Sequence, residues 1–159
     1  MPFRLYLAGK EQTEDEYLPE FDRQLGGMLH YAGVISGAKK DEFLRSLDVL
    51  VMPTYFEGLP VSLLECMAYG VVPVITPVGS IPDVVDSWDE SRKSNANGIF
   101  IKVKDEDTIV QAVTKLHEDR ELLAHLSKNA IQTILNNFST EKYVKNLNDI
   151  YASLLSDKR

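Results

Sequence analysis

Two glutamates eight residues apart, Glu57 and Glu65, are the side chains of this 159-residue sequence best placed to do chemistry. They lie in Met52-Pro53-Thr54-Tyr55-Phe56-Glu57-Gly58-Leu59-Pro60-Val61-Ser62-Leu63-Leu64-Glu65-Cys66-Met67-Ala68-Tyr69-Gly70, which reads as strand, loop and helix. An ionised carboxylate only accepts hydrogen bonds, so the groups that suit it are donors such as a ribose diol or sugar hydroxyls. On a helical wheel Glu65 falls within about 60° of Val61 and Ala68 and so interrupts an apolar stripe. Pro60 suits the first turn of the helix, where its missing N–H costs nothing, and Gly70 suits the residue just past the end. Gly58 allows a close approach of backbone to ligand. The helix start offers free N–H groups and a positive dipole end, which can hold a phosphate without lysines. The residues alone leave a plainer alternative open: Glu65 reaches water at the edge of the stripe, and Glu57 merely favours the dipole.

The elements that must position this segment are short apolar runs alternating with amphipathic ones. Leu5 to Ala8, Met28 to Ala32, Asp48 to Met52, Val71 to Thr76 and Gly98 to Val103 read as strands. Val49 to Met52 and Val71 to Ile75 are apolar on both faces, as strands are when helices cover both sides of a parallel sheet. The pattern is a doubly wound α/β sheet, whose ligands lie outside the carboxyl ends of the strands. The Glu57 loop leaves such an end. From Asp105 onward the texture is helical, with Ile109, Val113 and Leu116 in one stripe and Leu122, Leu123, Leu126 and Ile131 in the next. A last helix, capped by Ser139 or Thr140, carries Tyr143, Leu147, Ile150, Tyr151 and Leu154.

The length fits a single domain spanning residues 1–159. With 44% hydrophobic and 26% charged residues the composition is that of a soluble globular protein. A net charge of −7 argues against nucleic acid or an anionic bilayer as partner. One cysteine, Cys66, forms no internal disulfide, no Cys/His pattern suggests a metal, and a cytoplasmic setting fits best. His30, His117 and His125 lack the spacing of ligands and read as structural or surface residues. Glu14-Asp15-Glu16 reads as a solvated helix start, and Ser87 to Asn97 as an exposed loop.

Glu57 and Glu65, in the order E-G-L-P-x5-E-x-M-A-x-G, resemble the E-x7-E signature of retaining glycosyltransferase family 4, which has the two-domain GT-B fold. Val72-Pro73-Val74-Ile75-Thr76 and Val78-Gly79-Ser80-Ile81-Pro82-Asp83 are similar to that family's strand and glycine loop. Leu5-Tyr6-Leu7-Ala8-Gly9, Tyr31-Ala32-Gly33-Val34-Ile35 and Asn97-Gly98-Ile99 resemble further family strands. The resemblance runs from Leu5 to about Leu155. It implies a Rossmann-like donor-binding half of a GT-B enzyme, with a helical C-terminal segment, that moves sugar from a nucleoside-diphosphate sugar to a glycan, lipid or other acceptor.

The resemblance also implies roles. Glu57 touches the donor sugar near the reacting carbon and is the catalytic candidate. Gly58, Leu59 and Pro60 bring backbone to the sugar and diphosphate. Glu65 accepts from the ribose hydroxyls. Thr54 precedes the loop as a small hydroxyl residue, and Val34 meets the base through its backbone. No metal or other cofactor is expected. Two features depart from the family pattern: Asp83 stands where a glutamate is usual, and no strand-loop-helix with a diphosphate-clamping arginine and lysine precedes Leu5. The N-terminal acceptor domain is expected as a missing partner, and any membrane contact would belong to it. Two other readings are a nucleotide-sugar epimerase half and a non-catalytic nucleotide-binding module.

Overall fold

The computed structural model describes residues 3–10, 14–91 and 94–156, with the backbone alone for 14–16 and 156. They form two compact units, residues 1–47 and 48–159.

The first unit runs β1 (Leu5–Leu7), α1 (Glu14–Leu25), β2 (Leu29–Tyr31) and α2 (Ala38–Arg45). β1 and β2 are parallel, with Leu5 opposite Leu29 and Leu7 opposite Tyr31. The Tyr6 ring meets His30 edge-on at 5.5 Å and Phe43 at 6.1 Å. Aromatic edge contacts of this kind add about 0.5–1.5 kcal/mol beyond area burial. His30, exposed on β2, thus has a ring contact with Tyr6. The acidic run Glu14-Asp15-Glu16 opens α1, and its side chains lie outside the described residues.

The second unit runs β3 (Val49–Met52), α3 (Val61–Ala68), β4 (Val72–Ile75), a single 3-10 turn (Ile81–Asp83), β5 (Ile99–Phe100), α4 (Glu106–Glu118), α5 (Arg120–Asn137) and α6 (Thr140–Ser156). Its three strands are parallel in the order β3-β4-β5. All four residues of β4 are buried, and successive ones serve opposite faces. Val72 and Val74 pack with Ile99, Ala112, Leu116, Leu122 and Leu126. Ile75 packs with Leu63, Met67, Ile81, Val84 and Ala130. Pro73 sits in this central strand because β5 pairs only with Val74 and Ile75, so no ladder bond to β5 is lost at residue 73.

All five expected strands are present and all recorded pairings are parallel, in one two-stranded and one three-stranded sheet. The run Gly98 to Val103 is cut to two strand residues. Ile101 still donates to Ile75 O at 3.0 Å, but Lys102 N–H turns away to the Thr108 hydroxyl at 3.1 Å. The loop 87–97 is tied at both ends: Trp88 N–H donates to Gly98 O, and buried Asn97 bonds Val84 O, the Asp86 N–H and the Thr133 hydroxyl. Among the described residues of this loop, exposure is confined to 89–91, 94 and 95. Ser139, whose hydroxyl accepts from Lys142 N–H at 3.2 Å, is the residue that caps α6. The α6 stripe is uncovered, with Tyr143, Ile150, Tyr151 and Leu154 all exposed.

Candidate functional site

Strand β3 ends at Met52, and the chain then runs through an irregular loop, 53–60, into α3. Two side-chain bonds shape the start of that loop. The Thr54 hydroxyl donates to Phe56 O at 3.1 Å, and fully buried Thr76, just past β4, donates to Thr54 O at 2.6 Å. Thr54 is therefore a loop-shaping residue, with its hydroxyl proton already committed.

Pro60 lies one position earlier than expected, at the N-cap of α3 with φ −70° and ψ 125°, because its extended ψ precedes the first helical residue, Val61. No side chain caps this end and no acidic residue occupies the first turn. Leu63 N–H turns back on Pro60 O at 3.1 Å, and the N–H groups ahead of it, those of Val61 and Ser62, have no preceding turn to accept them, so α3 presents these two donors and a positive dipole end beside the loop. At the other end Gly70 takes φ 79° just beyond the C-cap Tyr69, as its position predicts.

Glu57 is half-buried in the loop, and Glu65 is half-buried one turn into α3. Gly58 and Leu59 are exposed between them, so the loop and helix start bring Thr54, Glu57, Gly58, Leu59, Pro60 and Glu65 onto one strand-to-helix connection. Val34 belongs to the first unit, exposed in the turn after β2. Next to Glu65, Cys66 is buried, and burial, aided by the Glu65 carboxylate, pushes its thiol up to about 11. It is a packing group with no thiolate near neutral pH.

Three features at this connection carried no local signal. Phe56 beside Glu57 is 88% exposed, an apolar ring held in water. Lys104, in the left-handed region at φ 58°, reaches from beyond β5 to place its Nζ 5.7 Å from the Tyr55 ring, so one cation does approach a loop that reads as lysine-free. Ser80 N–H, in the turn after β4, donates to Gly58 O at 3.0 Å. Each depends on contacts between segments more than 20 residues apart or on exposure, which periodicity does not encode. Among the described residues no group of three or more His, Cys, Asp or Glu side chains is arranged to hold a metal ion, and no helix is long and apolar enough to cross a membrane.

The fold has counterparts in known proteins. A glycosyltransferase of Methanocaldococcus jannaschii is 26% identical over 150 residues, 93% of this chain and 36% of its own length. The N,N'-diacetylbacillosaminyl-diphospho-undecaprenol alpha-1,3-N-acetylgalactosaminyltransferase of Campylobacter jejuni is 32% identical over 123 residues, 75% of this chain and 30% of its own. The chain thus spans about a third of the length of these relatives. Among solved structures, sucrose-phosphate synthase from Thermosynechococcus elongatus superposes with a TM-score of 0.80 at 19% identity, over 97% of this chain and 39% of that one. The Anabaena protein HepE, solved with UDP-glucose, gives 0.75 at 19% identity, over 97% and 41%. The fold is that of GT-B glycosyltransferases. The model of glycosyl transferases group 1 matches residues 2–133, five-sixths of the sequence, and the chain belongs to that family.

Proposed function

We propose that the chain is the donor-binding part of a retaining glycosyltransferase of family 4, taking a nucleoside-diphosphate sugar across the loop 53–60 and the N-terminus of α3. The observation that carries the reading is the open α3 N-terminus flanked by Glu57 and Glu65 at the carboxyl end of β3. Glu65 accepts from the ribose hydroxyls and Glu57 from the sugar, while the N–H groups following Pro60 meet the diphosphate. Gly58 and Leu59 bring backbone to the sugar, and Thr54 holds the loop in shape. That HepE was solved with UDP-glucose, and TarM with UDP, supports this class of ligand.

In the reaction, the bond between the anomeric carbon and the diphosphate oxygen breaks, and its electron pair leaves on the phosphate. The helix N-terminus stabilises that growing charge, the kind of preorganised electrostatics that lowers barriers most. The acceptor oxygen attacks from the same face, and its proton passes to the departing phosphate. No metal or side-chain base is required by this scheme. The acceptor is held by polypeptide outside this chain, in the reading that gives it only the donor half.

Titration of UDP and UDP-glucose, followed by NMR, tests the assignment. Hydrogen bonds to a charged group contribute about 1.5–3 kcal/mol, so Glu65→Gln should weaken both ligands about tenfold or more. Glu57→Gln should weaken UDP-glucose and spare UDP. Dissociation constants unchanged by Glu65→Gln would remove the ribose role.

A further inference from the structure

The loop that carries Glu57 is braced by the turn that follows the neighbouring strand. β3 and β4 run parallel with Met52 opposite Ile75, so the segments leaving their carboxyl ends start side by side. Thr76 fastens the base of the two segments through Thr54 O. Further out, Ser80 N–H donates to Gly58 O. Between these two ties the backbone of Gly79 lies against the carbonyl groups of Glu57 and Gly58. A Cβ on Gly79 would overlap the Glu57 carbonyl oxygen and stand 2.7 Å from that of Gly58. Those are backbone atoms and cannot swing aside as a side-chain end would. Gly79 also has φ 56°, in the left-handed region.

We infer that Gly79 is a positioning residue for the donor-sugar end of the site: it sets where the Glu57 carboxylate stands by letting the 78–80 turn lie directly on the Glu57–Gly58 backbone. This rests on the reading that Glu57 meets the sugar. The ribose end is not tied to the turn in the same way, because Glu65 lies in a helix whose buried face, Leu63, Cys66 and Met67, fixes it independently. Displacing the loop should therefore act on sugar recognition more than on nucleotide recognition.

A matched pair of substitutions separates contact from backbone strain. Gly26 has φ 51°, close to that of Gly79, but a Cβ there meets nothing within 4 Å. Gly26→Ala carries the strain alone, and Gly79→Ala carries the strain together with the clash. Both variants would be checked for cooperative melting, and wild type, G26A and G79A compared by 15N NMR and by titration with UDP and UDP-glucose. The expected result is that G79A shifts the amides of residues 55–59 while G26A leaves them in place. UDP-glucose affinity should fall at least about fivefold more than UDP affinity in G79A, a difference that tight positioning of reacting groups readily produces. Amides 55–59 at their wild-type positions in G79A, or an equal loss for both ligands, would overturn the inference. Should G79A not fold, hydrogen exchange in the wild type decides: a slowly exchanging Ser80 N–H supports the brace, and exchange at the rate of a free amide refutes it. A wild-type chain that binds neither nucleotide would refute the donor reading, while the amide shifts would still report whether Gly79 sets the loop.

Discussion

Helices α3, α4 and α5 lie in the same unit and begin in two different ways. α4 and α5 close their own first turns: Asp105 accepts from Thr108 N–H at 3.2 Å, and Asp119 accepts from Leu122 N–H at 2.9 Å. Glu106 and Asp107 in α4, and Glu121 in α5, add negative charge to the positive dipole ends. α3 has none of this, with a proline at its N-cap and no acid in its first turn. The contrast teaches that α4 and α5 close their first turns with a side chain, whereas α3, beside the two glutamates, closes its own only through Leu63 N–H to Pro60 O. The difference is confined to the N-terminal end, because α3 buries Leu63, Cys66 and Met67 as α5 buries Leu122, Leu123 and Leu126.

The largest expected effect tests that confinement. With the Cys66 thiol raised to about 11 by burial and by the Glu65 carboxylate, the folded chain holds about a hundredfold less thiolate than the unfolded chain at about pH 8. Iodoacetamide should therefore label native Cys66 at least about a hundredfold more slowly than the urea-unfolded chain. The sign for stability follows from a pKa that is higher when folded. The contribution is fully present below the unfolded thiol value and is lost as pH rises through about 11. Equal labelling rates would show that α3 is open along its whole length, and the comparison with α5 would fail.

The caps themselves come next in size. Replacing an N-cap aspartate by alanine costs about 1 kcal/mol, within a range of roughly 0.5–2. Asp105→Ala and Asp119→Ala should each lower stability by that amount in urea titration and leave UDP affinity unchanged. A cap variant that weakens nucleotide binding as strongly as it lowers stability would mean that the two kinds of helix start are not functionally distinct.

Much of this contrast was legible in the sequence, and the reasons are local. Asp105 opens the helical stretch, Gly70 stands after a helix, and Glu65 breaks an apolar face. Propensity and periodicity act within a few residues, and these features do too. The β3–loop–α3 connection was readable because its carboxylates, proline and glycine are all within one segment. What the sequence concealed depends on distant partners. The Gly79 contact with Glu57 spans 22 residues, and the Asn97 side-chain bond to Thr133 spans 36. Strand β5 stops early because the Thr108 hydroxyl, in α4, takes the Lys102 N–H. The α6 stripe was visible as a stripe, but periodicity states that a helix has an apolar face and not that anything in the chain covers it. Exposed Tyr143, Ile150 and Tyr151 are the result.

The smallest effect is also the most discriminating, because it sets the two uses of a helix N-terminus against each other. Ser62 is the second residue of α3 and is exposed. Ser62→Asp would give α3 the first-turn acid that α4 and α5 already have, and such a charge contributes about 0.3–1 kcal/mol to stability at low salt. The melting temperature should rise slightly and the gain should shrink with added salt. The same carboxylate would face the diphosphate and repel it, so UDP and UDP-glucose should both bind severalfold more weakly, again most at low salt. Stability and affinity would then move in opposite directions from one substitution, a pattern that a damaged fold cannot produce. A more stable Ser62→Asp variant with undiminished UDP affinity would place the diphosphate away from α3 and leave its open terminus without the role assigned to it.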